Sequence, residues 1–183
     1  MKLVLCVSGG IAASLIPGWV LYLRQIRGWQ VQVLLTENAT RFVAPTALTA
    51  LSGNPVYIGD RWMDDGRPIH KEIARDADVV AVSPCTLNTF AKLSAGLADD
   101  AVTLTAAFAT CPVVLFPAFG PAEVGRLWQK LNGGAIEAGY HVSETQIPAK
   151  RVVDGGTTSA QGFPTIDIFE REILRAVERH AAA

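Results

Sequence analysis

Cysteine is scarce in this 183-residue sequence, which contains only Cys6, Cys85 and Cys111. These residues form no Cys-x-x-Cys pair and have no histidine at the spacing of metal ligands, so neither a disulfide framework nor a zinc site is expected. Runs of lysine or arginine are also missing, and 16 basic residues are nearly balanced by 17 acidic ones. Because nucleic acids and anionic membrane surfaces are bound through basic patches, neither is an expected partner.

Long apolar runs are missing as well, although half of the residues are hydrophobic. No stretch approaches the roughly 20 residues that span a bilayer, and a glycine pair interrupts the apolar start too early for a secretory signal. We therefore expect a cytoplasmic protein. Since 50% hydrophobic residues is high for a soluble chain, we also expect part of the apolar surface to lie against another subunit.

The apolar segments predict an α/β domain with a parallel sheet. Those that are short, bounded by turn residues and typical of buried strands are 2–8, 30–36, 78–83 and 112–116. Those with helical spacing are 11–27, 39–51, 86–95, 98–109, 123–131 and 166–181. A weaker strand is predicted at 140–143, and 56–68 is predicted to be an irregular surface excursion. Alternating strands and helices imply right-handed crossovers, and the length fits one domain over residues 1–183.

The turns that follow the predicted strands form the candidate ligand site, because parallel α/β sheets bind ligands at the carboxyl ends of their strands. The first turn reads Ser8-Gly9-Gly10-Ile11-Ala12-Ala13, and its small residues let backbone amides and a helix N-terminus approach an anion. Its spacing is not GxGxxG, so a dinucleotide is not indicated. A tight turn without a ligand explains the glycines equally well.

The turn after the third predicted strand reads Ser83-Pro84-Cys85-Thr86-Leu87-Asn88-Thr89. It resembles the PASANT motif of the homo-oligomeric flavin-containing cysteine decarboxylases, a family that includes phosphopantothenoylcysteine decarboxylase and the lantibiotic-type peptidyl-cysteine decarboxylases. The proline, the asparagine and the final threonine keep the motif, whereas the residues between Pro84 and Asn88 replace its small middle residues. The following stretch to Asp100 resembles the GIADN continuation of that motif.

Other motifs of the same family occur in the family's order over about residues 3–128. The turn from Ser8 to Ala13 is similar to its S-G-G/S-I-A-A motif. Thr36, Ala39 and Phe42 match its T-x-x-A-x-x-F motif after the second predicted strand. His70 matches a histidine that lies several residues before the third strand. Together these matches make a chance resemblance improbable.

The family's PxMNxxMW motif is only partly kept. Pro117 and Trp128 can be placed on it, but Phe119 and Gly120 stand where methionine and asparagine would. By resemblance that asparagine helps to hold the substrate carboxylate, so the cations Arg126, Lys150 and Arg151 are candidates to replace it, although a solvated surface charge is the better explanation for any one of them taken singly. The residues predicted to bind the substrate are Pro117, Phe119, Gly120, Arg126, Lys150 and Arg151.

The resemblance implies a Rossmann-like or flavodoxin-like fold with FMN as the cofactor. It also implies a homo-oligomer, a trimer or a dodecamer, with FMN near a subunit interface. The implied FMN-binding residues are Ser8, Gly9, Gly10, Ile11, Ala12, Thr36, Phe42, Ser83, Pro84, Cys85, Thr86, Asn88 and Thr89. Among them, Cys85 is expected to pack rather than to react, because the family has a small residue there.

His70 and Asn88 are the catalytic residues that the resemblance implies. An imidazole takes up and releases protons near neutral pH, which suits proton transfer from a thiol or from carbon. The alternative interpretation of His70 is a polar residue at the start of a helix. Asn88 is expected to contact both the flavin ring and the substrate, since an amide donates and accepts hydrogen bonds.

The segment 147–164 is the predicted substrate-covering flap, and it contains no cysteine. By resemblance, family members that reduce the enethiol to a thiol, as in coenzyme A biosynthesis, use a flap cysteine. We therefore predict an enzyme that oxidatively decarboxylates the C-terminal cysteine of a ribosomally made peptide to an aminoenethiol, in the biosynthesis of a lantibiotic-like natural product. The alternatives are a phosphopantothenoylcysteine decarboxylase, a flavin prenyltransferase and a non-catalytic flavin-binding regulator. The first turn does not resemble the S-G-A-S-G pattern of the prenyltransferases.

Overall fold

Ten strands and seven α-helices occur in the computed structural model, which describes residues 1–64, 66–120, 124–144, 148–150, 156–161 and 163–182. The strands are β1 (Lys2–Val7), β2 (Gln30–Leu35), β3 (Tyr57–Ile58), β4 (Met63–Asp64), β5 (Arg67–Pro68), β6 (Val79–Cys85), β7 (Val113–Pro117), β8 (His141–Val142), β9 (Pro148–Lys150) and β10 (Thr157–Gln161). The helices are α1 (Ile16–Gln25), α2 (Pro45–Ser52), α3 (Ile69–Asp76), α4 (Leu87–Ser94), α5 (Ala101–Phe108), α6 (Arg126–Glu137) and α7 (Ile166–Ala181).

The central sheet consists of six parallel strands in the order β3-β2-β1-β6-β7-β8. Leu3 of β1 is paired with Val31 of β2 on one side and with Val79 of β6 on the other. The strand order therefore reverses between β1 and β6, and open α/β sheets bind ligands at the carboxyl ends of the strands where this happens. The predicted α/β, Rossmann-like fold with a parallel sheet is confirmed.

Helices cover both faces of the sheet, so β1 is buried on both sides. Leu3, Leu5 and Val7 face the layer that contains α1 and α7, whereas Val4 and Cys6 face the layer that contains α4, α5 and α6. Successive side chains of a strand point to opposite faces. This explains why β1 is a continuous apolar run rather than an alternating pattern.

The helices predicted at 11–27 and 39–51 each begin with a separate 3-10 helix. These are Ile11–Leu15, before α1, and Glu37–Arg41, before α2. Pro45 is in the first turn of α2, where its missing N–H costs no hydrogen bond. The continuous helix over 39–51 is therefore a wrong prediction, because Pro45 starts a helix but cannot continue one.

The helix predicted at 98–109 begins later than expected. Its N-cap is Asp100, whose carboxylate accepts a hydrogen bond from the Thr103 N–H at 2.8 Å, while the Thr103 hydroxyl accepts one from the Asp100 N–H at 3.1 Å. This capping box starts α5 at Ala101. The neighbouring Asp99 pairs with Lys92 at 2.8 Å, so the GIADN-like stretch has a structural role at this turn.

Strand β3 lies in the segment 56–68, for which no regular structure is predicted. It has only two residues, too few to show a period, and pairs Tyr57 with Leu34 at the edge of the sheet. The helix predicted at 123–131 spans Arg126–Glu137 instead, whereas α7 covers the predicted range. None of the described helices is both long and apolar enough to cross a membrane.

Candidate active site

Ser8 joins the carboxyl end of β1 to the turn at the end of β6. Its buried hydroxyl donates a hydrogen bond to the Pro84 carbonyl oxygen at 2.7 Å and accepts one from the Thr86 N–H at 2.8 Å. The Ser8 N–H donates to the same Pro84 oxygen at 3.2 Å. These bonds hold two of the predicted turns together at the point where the strand order reverses.

The glycine turn packs directly on the turn after β2. A Cβ atom at Gly9 would lie 2.5 Å from the Asn38 Cβ, and 2.7 and 2.8 Å from the Asn38 carbonyl carbon and oxygen. A Cβ atom at Gly10 would lie 3.4 Å from the Thr86 Cγ2. Gly9 therefore permits a close approach of two backbone segments that no larger residue allows. The turn then continues into the 3-10 helix Ile11–Leu15.

Two buried hydroxyls near the carboxyl edge of the sheet have no hydrogen-bond partner among the described residues. They are the Thr36 Oγ1, which follows β2, and the Ser83 Oγ of β6. The Thr36 N–H donates to the Val7 carbonyl oxygen at 3.0 Å, so Thr36 lies beside the end of β1. Because buried polar atoms nearly always have a partner, both hydroxyls suit a polar ligand. Together with the closely packed glycine turn, they fit the phosphate-bearing cofactor that the resemblance implies.

The N-terminus of α4 lies at the same edge, because its N-cap, Thr86, directly follows β6. The first N–H groups of a helix lack intrahelical partners and carry the positive end of the helix dipole. Asn88 is exposed in this first turn, whereas Thr89 is buried. Ile11 and Phe42, on the two neighbouring turns, are 59% and 37% exposed. Asn88 and these two side chains are therefore accessible to a ligand.

Cys85 ends β6 and is completely buried. Burial raises the pKa of its thiol well above the ordinary value, and the Cys6 thiol raises it further. Burial likewise raises the pKa of Cys6, with a smaller contribution from the Asp100 carboxylate. Both thiols are therefore protonated at neutral pH and unsuited to nucleophilic attack. This supports the packing role predicted for Cys85.

His70 is buried at the start of α3. It is 4% exposed, and its Nδ1 lies 3.4 Å from the Trp62 carbonyl oxygen. Its ring centroid is 5.4 Å from that of Trp62 and 5.2 Å from that of Phe108. No hydrogen bond or ring contact among the described residues connects His70 with Ser8 or Asn88. Within the described residues, the two implied catalytic residues thus share no hydrogen bond or ring contact.

Pro117 and Phe119 differ in their surroundings, although both are predicted to bind the substrate. Pro117 ends β7 and pairs with Cys85, so it lies at the carboxyl edge of the sheet. Phe119 is 7% exposed, and its ring centroid lies 5.4 Å from that of Phe90 and 6.0 Å from that of Trp128. The aromatic residue in place of the motif methionine therefore packs in an aromatic cluster. In the sequence, this cluster is indicated only by Trp128, which belongs to the same partly kept motif as Phe119.

The remaining predicted substrate residues lie on the α6 side and in the flap. Gly120 is buried, and Arg126 is exposed at the start of α6. Lys150 ends β9, which pairs antiparallel with β10 in the predicted flap. The Lys150 side chain and Arg151 lie outside the described residues.

The fold and the joined turns at the carboxyl edge of the sheet are those of an α/β flavoprotein. Residues 1–130 match the model of the Flavoprotein family, so the chain belongs to that family. The match includes the turns joined by Ser8 and Gly9 and also His70. It confirms the family resemblance found in the motifs and the prediction of a flavoprotein.

The chain is also similar to individual curated proteins and solved structures. The coenzyme A biosynthesis bifunctional protein CoaBC of Mycobacterium bovis is 39% identical over 187 residues, which cover 99% of this chain and 42% of CoaBC. The chain spans 29% to 42% of the length of such curated relatives. The structure of the FMN-dependent cysteine decarboxylase SpaF matches with a TM-score of 0.76 and 26% identity, over 99% of this chain and 97% of SpaF. The peptidyl-cysteine decarboxylase EpiD, as a variant in complex with the substrate peptide DSYTC, shares the fold with a TM-score of 0.80 and 19% identity, over 94% and 98% of the two chains.

Proposed function

We propose that this chain binds FMN and oxidatively decarboxylates the C-terminal cysteine of a peptide, releasing CO2 and leaving an aminoenethiol. The observation that carries the proposal is the joining of the motif turns through Ser8 and Gly9, beside the unpartnered hydroxyls of Thr36 and Ser83. Membership of the Flavoprotein family and the similarity to SpaF support it.

The three turns provide the groups that would hold the cofactor. Backbone N–H groups of the glycine turn suit its phosphate, because they approach an anion without a side chain in between. The Thr36 and Ser83 hydroxyls would supply the hydrogen bonds that they do not make with described residues. Phe42 and Ile11, exposed beside them, would shield the site from water. When bound, FMN supplies a two-electron acceptor, which allows the thiol-bearing carbon of the substrate to be oxidised before CO2 leaves.

The chain's own residues would orient the substrate and manage its proton. The exposed Asn88 amide would hydrogen-bond the substrate and fix its position over the cofactor. His70 would take the proton from the substrate thiol. Because its Nδ1 lies beside the Trp62 carbonyl oxygen, the Nε2 atom would perform this step. A cation among Arg126, Lys150 and Arg151 would hold the peptide carboxylate.

Association of identical chains would bring His70 to the site of a neighbouring copy. Trp62, Met63 and Phe108 lie beside His70 or next to its contacts and are 37%, 46% and 47% exposed. Large exposed apolar side chains that lie together are typical of subunit interfaces. The lack of a described contact between His70 and Asn88 in one chain supports the same arrangement.

Decarboxylation of phosphopantothenoylcysteine is the second candidate. The 39% identity with CoaBC, over 99% of this chain, favours it because it exceeds the 26% identity with SpaF. The absence of a cysteine from 147–164 favours the peptide substrate, since the resemblance assigns enethiol reduction to a flap cysteine. The enethiol is therefore the expected product with either substrate.

Mass spectrometry of the products distinguishes the two candidates. The holoprotein is incubated with pentapeptides that end in cysteine, among them DSYTC, with the same peptides ending in serine, and with phosphopantothenoylcysteine. We expect the cysteine peptides to lose CO2 together with two hydrogens and the serine peptides to stay unchanged. Turnover of phosphopantothenoylcysteine alone would contradict the peptide proposal. A colourless protein that does not bind added FMN would contradict both.

A further inference from the structure

The β9–β10 hairpin lies between the last strand of the central sheet and α7. It follows β8, which runs parallel to β7 and ends at the carboxyl edge of the sheet, where the Ser143 N–H donates to the Leu115 carbonyl oxygen at 2.9 Å. After the hairpin the chain passes through Phe163 and the buried Pro164 into α7. Phe163 is the first described residue after β10.

Phe163 stacks on Trp19 of α1. The two ring centroids are 4.4 Å apart and the ring planes differ by 27°. Trp19 in turn lies 4.8 Å from Phe169 of α7, and Phe169 lies 4.9 Å from Phe116 of β7, measured between ring centroids. Phe169 is completely buried, so Trp19 packs against a residue of the hydrophobic core. The aromatic series thus connects the end of the hairpin with α1, α7 and the sheet.

Trp19 lies on the helix that follows the proposed cofactor turn in the chain. Helix α1 follows the glycine turn through the 3-10 helix Ile11–Leu15, and its buried residues Ile16 and Val20 pack in the same core layer as Phe169. Proline restricts both its own φ angle and the conformation of the residue before it. Pro164 therefore limits the rotation of Phe163 relative to α7.

We propose that the stack of Phe163 on Trp19 fixes the carboxyl-terminal end of the β9–β10 hairpin on α1, the helix that follows the cofactor turn. Phe163 is then a positioning residue for substrate binding, because it acts through the hairpin. The inference rests on the proposed decarboxylase function and on the prediction from sequence that the segment 147–164 covers the substrate. The loss of one aromatic pair corresponds to about a two- to tenfold change in an equilibrium constant, and this is the expected rise in KM, with a smaller change in kcat.

The experiment compares Phe163→Ala with Phe163→Tyr and with Leu174→Ala. Leu174 is a control residue on α7 that is 37% exposed and outside the aromatic series. The readouts are KM and kcat with a cysteine-terminated peptide, FMN content, and the rate of trypsin cleavage after Lys150 and Arg151. We expect Phe163→Ala to raise KM and to speed cleavage, each about two- to tenfold. Phe163→Tyr keeps an aromatic ring and should have the wild-type KM and cleavage rate. Leu174→Ala should also leave both values unchanged. FMN content should be the same in all variants.

Several outcomes would overturn the inference. Unchanged KM and unchanged cleavage in Phe163→Ala would show that the stack does not hold the hairpin. A loss of FMN would show that the stack supports the cofactor turn instead. Should the alanine variant not fold, Phe163→Leu keeps apolar volume while removing the ring, and the same outcomes apply. If the wild-type protein decarboxylates no substrate, the proposed function fails, whereas the cleavage rates still decide whether Phe163 holds the hairpin.

Discussion

The Ser8 hydroxyl lies 2.7 Å from the Pro84 carbonyl oxygen, in a buried hydrogen bond between residues 76 positions apart in the chain. The same hydroxyl accepts the Thr86 N–H, so its removal would leave that group without this partner. We expect Ser8→Ala to lower the free energy of unfolding by about 1–3 kcal/mol and to reduce the FMN retained through purification. Denaturant unfolding and flavin absorbance measure the two effects.

Ser14→Ala is the matched control for this substitution. The Ser14 hydroxyl makes only a local, exposed bond to the Ile11 carbonyl oxygen at 2.8 Å. Its loss should therefore change stability and flavin content little. Equal stability and equal flavin content in Ser8→Ala and Ser14→Ala would show that Ser8 does not hold the turns together.

Substitutions of Gly9 and Gly10 in the glycine turn, and of Gly18 in α1, test the cofactor turn in three grades of crowding. At Gly9 a Cβ atom would lie 2.7 and 2.8 Å from backbone atoms of Asn38, so the turn must move. We expect Gly9→Ala to lose most of its FMN and about 1–3 kcal/mol of stability through overpacking. Gly10→Ala, with its nearest atom at 3.4 Å, should be milder, and Gly18→Ala, with nothing within 4 Å, should keep its FMN. FMN content after gel filtration ranks the three variants. Equal FMN content in Gly9→Ala and Gly18→Ala would contradict the expected ranking.

The turns at strand ends were easier to predict from sequence than the helices were. Ser8, Gly9 and the turn from Ser83 to Thr89 stand next to long buried strands, whose apolar runs are plain because both faces are covered. The spacing over 39–51, by contrast, is helical in pattern but interrupted before Pro45. A periodic pattern reports which face is buried, not whether the backbone hydrogen bonds continue.

Other features depend on contacts that no local pattern contains. The aromatic residues Trp19 and Phe163 are distant in sequence, and only the folded chain shows that they stack. In the same way, the family resemblance groups His70 with Asn88 by role and does not say which chain supplies each. The structure adds that His70 contacts Trp62 and Phe108, on the segment before α3 and at the end of α5.

The cysteines should differ in their reactivity toward iodoacetamide. Burial raises the pKa of Cys6, Cys85 and Cys111, and a raised pKa lowers the fraction of reactive thiolate at any given pH. Cys111 is only partly buried, so we expect it to be labelled first, and slowly. Cys6 and Cys85 should be labelled only after denaturation in urea. Peptide mass spectrometry at pH values around neutral measures this order, and labelling of Cys85 in the folded protein would contradict its packing role.

The exposed side chains near His70 predict self-association. Light scattering at micromolar concentration should give a mass well above the 19.5 kDa of one chain. Met63→Glu would place a charge among the exposed apolar side chains and should shift the protein toward monomers. Leu174→Glu, on the exposed face of α7, serves as the control. A wild-type protein that stays monomeric would end the proposal of a site shared between copies.

His70 permits a test that separates proton transfer from cofactor binding. His70→Asn keeps a polar side chain of similar size, so it should retain FMN while single-turnover decarboxylation slows about 10²- to 10⁴-fold. His141→Asn, on the edge strand β8, should have little effect. Asn88→Ala should lose both flavin and rate, because Asn88 is exposed in the first turn of α4, next to the joined turns. Retention of more than about a tenth of the wild-type rate by His70→Asn would favour the polar helix-start interpretation.

Mixed oligomers then decide where His70 acts. If one copy supplies His70 and its neighbour supplies Asn88, a co-expressed mixture of His70→Asn and Asn88→Ala contains some sites in which both residues are intact. Such a mixture should be more active than either variant alone, although neither variant has an intact pair by itself. Differently tagged copies show by pull-down whether the two variants have mixed. Mixed oligomers without any gain in activity would contradict a site shared between copies.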